Sequence, residues 1–288
     1  MDSIQAAKPE NIPDMIFNKC RRYLGEISAI TGRNVIAYYS GWLKVNVAEA
    51  QINDIDKNAF MNAVYGLDRS KGLDLILHTP GGEIAATESI VSYLKQLFGN
   101  NIRAIVPQIS MSAGTMIAMA CKEIIMGRQS SLGPIDPQTN GIACQMVIDE
   151  FYRAVNDVSV TPASLGLWQT IISQYPPTFL TACEDAVKWS KELAEKWLTE
   201  INPDISMKLI EDTFINHQYS YSHSRHISKE DCKKAGLPII DLEKDQKLQE
   251  AVLSLHHCFM ILIDMISLTK VVMNQEGRSY IQNANQKK

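Results

Sequence analysis

The sequence lacks the motifs and runs that mark several classes of protein. It contains no C-x-x-C pair and no histidine and cysteine cluster at zinc spacing, so no metal site is predicted. No apolar run reaches the ~20 residues that a membrane span needs, because Asp264 interrupts the most apolar late stretch, Cys258 to Leu268. The charges are interspersed and sum to a formal −4, so no basic surface favours nucleic acid.

Two further absences concern the cellular compartment. The N-terminus has no basic start followed by an apolar run, so no signal peptide is expected. The six cysteines form no disulfide framework, and we interpret them as reduced thiols. They stand at positions 20, 121, 144, 183, 232 and 258. These observations predict a cytoplasmic protein without a membrane span.

What the sequence does contain is a regular alternation of strand and helix patterns. With 288 residues, 45% of them hydrophobic, the chain is long enough for a packed core. Strand patterns separated by helical patterns predict right-handed βαβ crossovers and a parallel sheet, hence an α/β protein. The predicted order is strand Leu73 to Leu77, helix Ile84 to Phe98, strand Ile102 to Val106, a short helix from Ser112, and strand Glu123 to Met126.

The two ends of the chain differ from this central alternation. Apolar spacing predicts a helix from Ile12 to Ile30. From Lys247 to about Met273, apolar residues recur at spacings of four and three, which predicts a long amphipathic helix for core or oligomer contacts, with a polar tail after Gly277. The predicted division is an N-terminal helix in residues 1–33, a main domain in 34–240, and a C-terminal amphipathic helix and polar tail in 241–288.

Two glycine-bearing turns follow neighbouring strands of the alternation. In Thr79-Pro-Gly-Gly82 the proline fixes φ and the glycines let the backbone turn with exposed N–H groups, and Ser112-Ala-Gly114 opens the next helix. Alone, each turn has an ordinary explanation, a tight βα turn or a serine N-cap. Together, at the carboxyl ends of adjacent parallel strands, they predict Ser112 as a nucleophile beside an oxyanion hole. The candidate oxyanion donors are the N–H groups of Gly81, Gly82 and Ala113.

Three motifs together resemble those of a known group of peptidases. They are Leu77-His-Thr-Pro-Gly-Gly82, Ser112-Ala-Gly114 and Ser130-Ser-Leu-Gly-Pro-Ile-Asp-Pro137. Over roughly Val35 to Ile240 the chain is similar to the Clp-fold serine peptidases, and most similar to the signal peptide peptidase A clan and its serine dehydrogenase proteinase family. The resemblance implies a ClpP/crotonase-like fold of repeated β-β-α units, here with a helical C-terminal portion. It also implies Ser112 as the nucleophile and the Gly82 and Ala113 amides as the oxyanion hole.

The general base is the part of the family pattern that this sequence does not reproduce. A serine hydroxyl needs a histidine, or a lysine of depressed pKa, to take its proton. The Clp peptidase subunit places a histidine after the nucleophile, but the corresponding region here, Ser131 to Gln138, contains Asp136 and no histidine. Signal peptide peptidase A places a lysine before a proline-rich turn, but here Ile172-Ser-Gln-Tyr175 precedes that turn without one.

Three residues are candidates for the base. Lys188 lies on the predicted helix after Pro176-Pro177 and could reach inward, but Glu184 four residues before it favours an exposed ion pair. His223 and His226 precede a predicted helix in a segment that resembles the place where the Clp peptidase carries its acidic orienting residue. Asp136, next to Pro137, either shapes a turn or orients the base or a substrate amide.

The function predicted from these residues is a serine endopeptidase that hydrolyses peptide bonds of a peptide or protein substrate through a Ser112 acyl-enzyme, without a metal or organic cofactor. Clp-fold peptidases usually close their active sites inside rings, so the resemblance implies a homo-oligomer. Two alternatives stay open. One is an acyl-CoA hydratase or hydrolase of the crotonase superfamily, although Ser112 stands where those enzymes place glycine. The other is a non-catalytic scaffold that keeps the turns but lacks a base.

Overall fold

A seven-stranded mixed sheet with helices on both faces forms the centre of the protein. The computed structural model describes residues 12–45, 48–139, 141–216 and 222–284. The strands are β1 (Asn34–Ser40), β2 (Leu73–His78), β3 (Ile102–Val106), β4 (Ile109–Ser110), β5 (Glu123–Met126), β6 (Ser131–Leu132), β7 (Gln138–Thr139), β8 (Ile142–Ala143), β9 (Ile227–Ser228), β10 (Ile239–Asp241), β11 (Leu268–Asn274) and β12 (Ser279–Asn283).

Ten α-helices lie among the described residues. They are α1 (Ile12–Thr31), α2 (Ile55–Val64), α3 (Ile84–Phe98), α4 (Ala113–Met119), α5 (Cys144–Val160), α6 (Leu165–Ile172), α7 (Phe179–Ile201), α8 (Met207–Ile210), α9 (Lys229–Lys234) and α10 (Gln246–Ile266). A π-helical turn, Glu211–Ile215, continues α8.

Five strands of the main sheet run parallel. The order across the sheet is β10-β5-β3-β2-β1-β11-β12, with parallel pairing from β10 to β1 and antiparallel pairing at β11 and β12. Every residue of β1 and β2 is buried, because helices cover both faces of the sheet. The parallel arrangement brings the carboxyl ends of β2 and β3 to the same edge, and the two glycine-bearing turns follow there.

Two apolar cores lie on opposite faces of the main sheet. Helices α2, α3, α4 and α7 contribute to one core, and α1 and α10 to the other. In α3 the buried stripe comprises Ala86, Ile90, Val91, Leu94 and Phe98. Burial of one large apolar side chain contributes about 1.5–3 kcal/mol to the free energy of folding. Capping adds nothing at the start of α3, because the Glu83 side chain makes no capping hydrogen bond. Packing of the stripe therefore stabilises α3 against the sheet.

A helical lobe, formed by α5, α6 and α7, stands beside the edge where β2 and β3 end. Its own apolar cluster, with Cys144, Val147, Ile148 and Cys183, joins α5 to the first half of α7. The second half of α7 packs into the main core through Leu193 and Trp197, among others. Because α7 belongs to both clusters, it attaches the lobe to the sheet. The described residues also form two small sheets, β4-β6-β9 and the β7-β8 hairpin.

The α/β class and the predicted central elements are confirmed. Helix α3 and strands β3 and β5 have the predicted bounds, and β2 is one residue longer than predicted. The structure is a mixed α/β arrangement consistent with a ClpP-like fold. The finer prediction of repeated β-β-α units stays a prediction.

The C-terminal part differs from the prediction. Helix α10 ends at Ile266 and not near Met273, because Ser267 has a left-handed φ of 48° and the chain continues as the fully buried β11. The predicted polar tail after Gly277 instead includes β12, which pairs with β11. Residues 268–283 thus complete the main sheet, so the predicted boundary at 241 divides one sheet. Residues 1–11 and 285–288 of the predicted terminal parts lie outside the described residues.

Helix α10 is long and apolar enough, by length and composition, to cross a membrane. In the fold, its buried residues Val252, Leu255 and Phe259 belong to the core shared with α1 and the sheet. A core helix passes the same length and composition test, so α10 is weak evidence for a membrane span.

Candidate active site

The two glycine-bearing turns lie side by side beyond β2 and β3. The Met111 N–H donates to the Thr79 carbonyl at 3.0 Å, within a parallel bridge between Thr79 and Ser110. On the opposite side, the Ile52 N–H donates to the Gly81 carbonyl at 2.8 Å, and Ile52 forms a bridge with Gly82. The segment from 79 to 82 is therefore held like a short strand between two backbone neighbours.

Ser112 occupies a strained position between β4 and α4. Its φ of 50° and ψ of −120° lie where residues other than glycine are rarely found. The side chain makes no capping hydrogen bond, so the ordinary N-cap explanation does not apply. A serine on a sharp, strained turn from strand to helix has the geometry of a nucleophile elbow, which presents the hydroxyl to a cleft.

Glycine at position 81 is a steric requirement of this turn. Gly81 has φ of 97°, and a Cβ atom there would lie 2.6 Å from Ser112 Cβ and 2.8 Å from the Ala113 nitrogen. Both distances are far below a van der Waals contact, and the positive φ already disfavours a side chain. The close approach of the two turns therefore depends on the absence of a side chain at 81.

The amides of Gly82 and Ala113 are available to a ligand. Among the described residues, no hydrogen bond has either of these N–H groups as its donor. The Gly81 N–H, by contrast, donates to Thr79 Oγ1 at 3.1 Å. Of the three predicted oxyanion donors, two therefore have no acceptor in the part of the chain that the structure describes, an arrangement that suits a negatively charged oxygen next to Ser112.

Both turns line a cleft of about 1220 Å³. This volume exceeds the ~300–1,000 Å³ of sites for drug-sized ligands, so the cleft has room for an extended ligand. Helices α3 and α4, the β7-β8 hairpin and the helical lobe supply most of its apolar surface. The apolar lining includes Ile84, Met116, Ile135, Ile142, Met146 and Trp189.

His223 lines the same cleft, from the segment that precedes β9. Its Nδ1 lies 2.8 Å from Asp136 Oδ1. The side chain of Asp136 is 1% exposed, whereas that of His223 is 29% exposed. Because a carboxylate only accepts hydrogen bonds, Nδ1 carries the proton and Nε2 of the neutral ring is an acceptor. The structure thus pairs two residues that the sequence offered as separate candidates.

The loop that carries Asp136 is anchored on both sides. The Ile135 N–H donates to the Phe214 carbonyl at 2.7 Å, and the Ser190 hydroxyl donates to the Ile135 carbonyl at 2.8 Å. Asp136 Oδ2 accepts from Gln138 Nε2 at 2.8 Å. These bonds fix the buried carboxylate, so a ring bonded to it is fixed in orientation too.

Lys188 and His226, the other candidate bases, lie away from the cleft lining. Lys188 is 73% exposed at its side chain, and its Nζ lies 3.9 Å from Glu192 Oε1, a different partner from the Glu184 of the predicted ion pair. His226 is exposed, with Nδ1 2.8 Å from the Ser131 hydroxyl. The structure therefore brings His223, and neither of these two, into the cleft that contains Ser112.

Other reactive side chains are buried away from this cleft. Burial raises the pKa of the Cys121 thiol to about 12, so that thiol stays protonated at neutral pH. Burial lowers the pKa of His78 to about 3 and that of His256 to about 4, with a smaller contribution from a neighbouring histidine in each case. Within the described ranges, no group of three or more histidine, cysteine or acidic side chains could hold a metal ion.

Sequence reasoning missed the far wall of the cleft and the β-bridge between Ile52 and Gly82. Met146 and Trp189 come from helices of the lobe, and nothing in their local pattern indicates which side of the fold they face. Ile52 lies just before α2, where the Ile55 N–H donates to Asn53 Oδ1 at 3.1 Å. Its pairing with Gly82 has no local signal, because the two residues are distant in sequence.

The fold and the cleft define an α/β protein with a serine on a strained turn, two available amides and a histidine bonded to a buried carboxylate. Residues 22–234 match the model of the ClpP-like SDH-type serine proteinases, and the chain belongs to this family. The predicted family resemblance is therefore confirmed.

Three proteins of Methanocaldococcus jannaschii are similar to parts of the chain. Two uncharacterised proteins are 35% identical over 104 residues and 42% identical over 83 residues, covering 36% and 29% of this chain and 35% and 29% of their own. A third, whose name proposes a protease, is 23% identical over 190 residues, or 63% of this chain and 56% of its own. The matches thus span about a third to a half of these relatives.

A solved structure also aligns with the chain. It is a serine-to-alanine mutant of a membrane-bound stomatin-specific protease, 1510-N, at 20% identity over 67% of this chain and 92% of that chain. The TM-score is 0.28, so this likeness carries no argument about the present site.

Proposed function

We propose that the protein is a serine peptidase in which Ser112 is the nucleophile, His223 the general base and Asp136 the residue that orients the base. The observation that carries this proposal is the 2.8 Å contact between His223 Nδ1 and Asp136 Oδ1 in the cleft that Ser112 lines. Membership of a serine proteinase family supports peptide or protein as the substrate class.

In the first half of the reaction, Ser112 Oγ attacks the carbonyl carbon of the scissile peptide bond. His223 Nε2 takes the hydroxyl proton as the Oγ–C bond forms, and Asp136 stabilises the resulting imidazolium through Nδ1–H. The tetrahedral intermediate then expels the amine, which receives the proton from Nε2 as the C–N bond breaks. The product of this half is a Ser112 acyl-enzyme.

The Gly82 and Ala113 amides stabilise the oxygen that becomes negative in the intermediate. Their N–H groups have no acceptor among the described residues, so they are available when the charge develops. One preorganised donor of this kind is worth roughly 10²–10³ in kcat. The α4 helix adds little to this site beyond the Ala113 amide, because it has only seven residues.

In the second half, water hydrolyses the acyl-enzyme. His223 removes a proton from the water as its oxygen attacks the acyl carbon, and returns a proton to Ser112 Oγ as the ester bond breaks. The cycle restores the neutral ring and the hydroxyl, and it needs no metal or organic cofactor.

Three broader features belong to the same proposal. The order β3-β4-α4 is that of one β-β-α unit, which supports the proposal of repeated units. The six cysteines are free thiols, which supports a reducing compartment such as the cytoplasm. We also propose a homo-oligomer, because Clp-fold peptidases usually assemble into rings.

Substitution of the candidate bases tests the assignment of His223. We expect His223→Asn to lower the rate of fluorophosphonate labelling and of peptide hydrolysis by about 10³-fold or more, because Asn cannot take the Ser112 proton. His226→Asn and Lys188→Met are the matched controls, and both should retain near-parental rates. Rates are measured by gel fluorescence of the labelled protein and by cleavage of a fluorogenic peptide.

If His223→Asn retained labelling and one control variant lost it, the general base would be the residue substituted in that control. A parental protein that is folded yet neither labels nor cleaves peptides would contradict the proposal and favour the scaffold. Thermal unfolding of each variant shows whether a lost rate reflects lost structure.

A further inference from the structure

A fully buried ion pair lies next to the oxyanion turn and takes no part in the mechanism above. Lys270 in β11 and Asp56 in α2 are each 0% exposed at the side chain. Lys270 Nζ donates to Asp56 Oδ1 at 2.8 Å and to Oδ2 at 2.9 Å. Asp56 Oδ2 also accepts from the Tyr38 hydroxyl and from the Asn53 N–H, each at 3.0 Å. Every polar atom of the pair is therefore satisfied.

The third hydrogen bond of the ammonium leads toward the active site. Lys270 Nζ donates to the Gln51 carbonyl at 2.9 Å. That carbonyl and the Ile52 N–H belong to one trans peptide group, so they point in opposite directions. On its far side, the Ile52 N–H donates to the Gly81 carbonyl at 2.8 Å.

A second peptide group, between Gly81 and Gly82, continues the chain of hydrogen bonds. The Gly81 carbonyl and the Gly82 N–H belong to the next peptide group, so the Gly82 N–H points away from Ile52. A chain of hydrogen bonds therefore runs from the Lys270 ammonium through two peptide groups to the proposed oxyanion donor. Hydrogen bonds in such a chain polarise one another, most strongly in a dry interior.

We propose that Lys270 is a positioning residue for the oxyanion hole, which fixes and polarises the Gly82 N–H through the Gln51–Ile52 and Gly81–Gly82 peptide groups. The inference rests on the proposed function, in which Gly82 binds the developing oxyanion. Asp56 holds the ammonium in place and balances its charge inside the core.

Stability alone does not account for a charged pair at this position. A buried ion pair can often be replaced by apolar residues of similar volume with no loss of stability. An apolar side chain at 270, however, would remove the charged donor 2.9 Å from the Gln51 carbonyl and leave that carbonyl with the longer bond from Asn53 Nδ2, at 3.3 Å. The lysine therefore supplies a buried positive charge at the start of the hydrogen-bond chain that leads to Gly82, which the neutral amide of Asn53 does not.

The test is the double variant Lys270→Met with Asp56→Asn, which removes both charges together and keeps an acceptor for Tyr38 and Asn53. We expect kcat for peptide hydrolysis to fall roughly tenfold or more while KM changes little, since the oxyanion forms only after substrate binds. We expect the Ile52 amide to exchange hydrogen at least about tenfold faster, relative to amides within β2.

Asp74→Asn is the matched control. Asp74 is also 0% exposed and is paired with Arg33 and Arg103, but it lies at the opposite end of β2 from the active site. This variant should lose stability without a specific change in kcat per folded molecule or in Ile52 exchange.

Unchanged exchange at Ile52 in the double variant would overturn the inference, whatever its activity. Faster exchange with an unchanged kcat would also overturn it, because the Gly82 amide would then not depend on Lys270. A parental protein that is not acylated at Ser112 would contradict the proposed function, whereas the exchange measurement still decides whether Lys270 holds the turn.

Discussion

Gly81 and Gly82 are the residues whose small size the close approach of the two turns and Ile52 needs most directly. A side chain at 81 would collide with Ser112 and Ala113, and a side chain at 82 would collide with the backbone of Ile52. Both residues also have positive φ, at 97° and 157°. The backbone of this turn can therefore approach both Ile52 and the Ser112 turn to hydrogen-bonding distance, which no other residue type permits here.

Gly81→Ala should reduce peptide hydrolysis and fluorophosphonate labelling by about 10²-fold, because moving the turn away from Ser112 costs about as much as losing an oxyanion donor. Gly25→Ala is the control, since that position lies in α1 with no atom within 4 Å of an added Cβ. Alanine there should raise the free energy of unfolding by about 0.5–1 kcal/mol and leave activity unchanged. Parental activity in Gly81→Ala would show that the two turns need not touch.

His78 and His256 make the stability of the fold depend on pH. Their rings lie 5.2 Å apart, and neither ring nitrogen of His78 has a partner among the described residues. Burial lowers their pKa values to about 3 and about 4, against about 6.5 in an unfolded chain. Below pH 6.5 the unfolded chain therefore binds protons that the folded chain does not, so stability is complete above pH 6.5 and falls below it.

We expect the free energy of unfolding to fall between pH 6.5 and pH 4 by up to roughly 1.4 kcal/mol per pH unit for each of these histidines. Urea denaturation at pH 7.5 and pH 5 measures the difference. His78→Phe keeps an aromatic ring beside Trp42 and Tyr39 and should lose less stability over this interval than the parental protein. An equal loss in both proteins would assign the pH dependence to other groups.

At the residue scale, local motifs predicted the position of Ser112 and the glycines, because strand, turn and helix signals are adjacent in sequence. The pairing of His223 with Asp136 was not predictable, since 87 positions separate them and the sequence offered each as an independent candidate. The same holds for Lys270, which is 214 positions from Asp56. Contacts of this kind depend on the sheet order, which local patterns do not specify.

At the scale of elements, periodicity predicted the centre of the fold well and its C-terminal part poorly. Helix α3 has a clear apolar stripe between strands of clear composition, so its bounds follow from the sequence. After Ile266 the alternation of apolar residues is short and the segment after Gly277 is polar, yet β11 and β12 form there. β11 forms a strand because it pairs with β1, and such tertiary pairing is not visible in the local sequence.

The helical lobe shows the same limit. The helix after Pro176-Pro177 was predicted, but the cleft wall that the lobe forms depends on α7 belonging to two apolar clusters. The lobe and the β7-β8 hairpin place apolar side chains opposite the two turns. The cleft wall opposite the two turns therefore belongs to elements whose arrangement the sequence did not predict.

For the molecule as a whole, the family assignment and the cleft support one account. The chain belongs to the ClpP-like SDH-type serine proteinases, and one cleft collects Ser112, two available amides and His223. The central claim is that Ser112 is activated by the His223 and Asp136 pair to form an acyl-enzyme. A covalent probe that reacts with activated serines tests this claim, and the test does not require the natural substrate.

The most direct measurement is mass-spectrometric mapping of the fluorophosphonate adduct on the folded parental protein at pH 7.5. The account predicts a single modified serine, Ser112, with modification lost in Ser112→Ala and strongly slowed in His223→Asn. An adduct on another serine, or no adduct on a protein that is demonstrably folded, would contradict it.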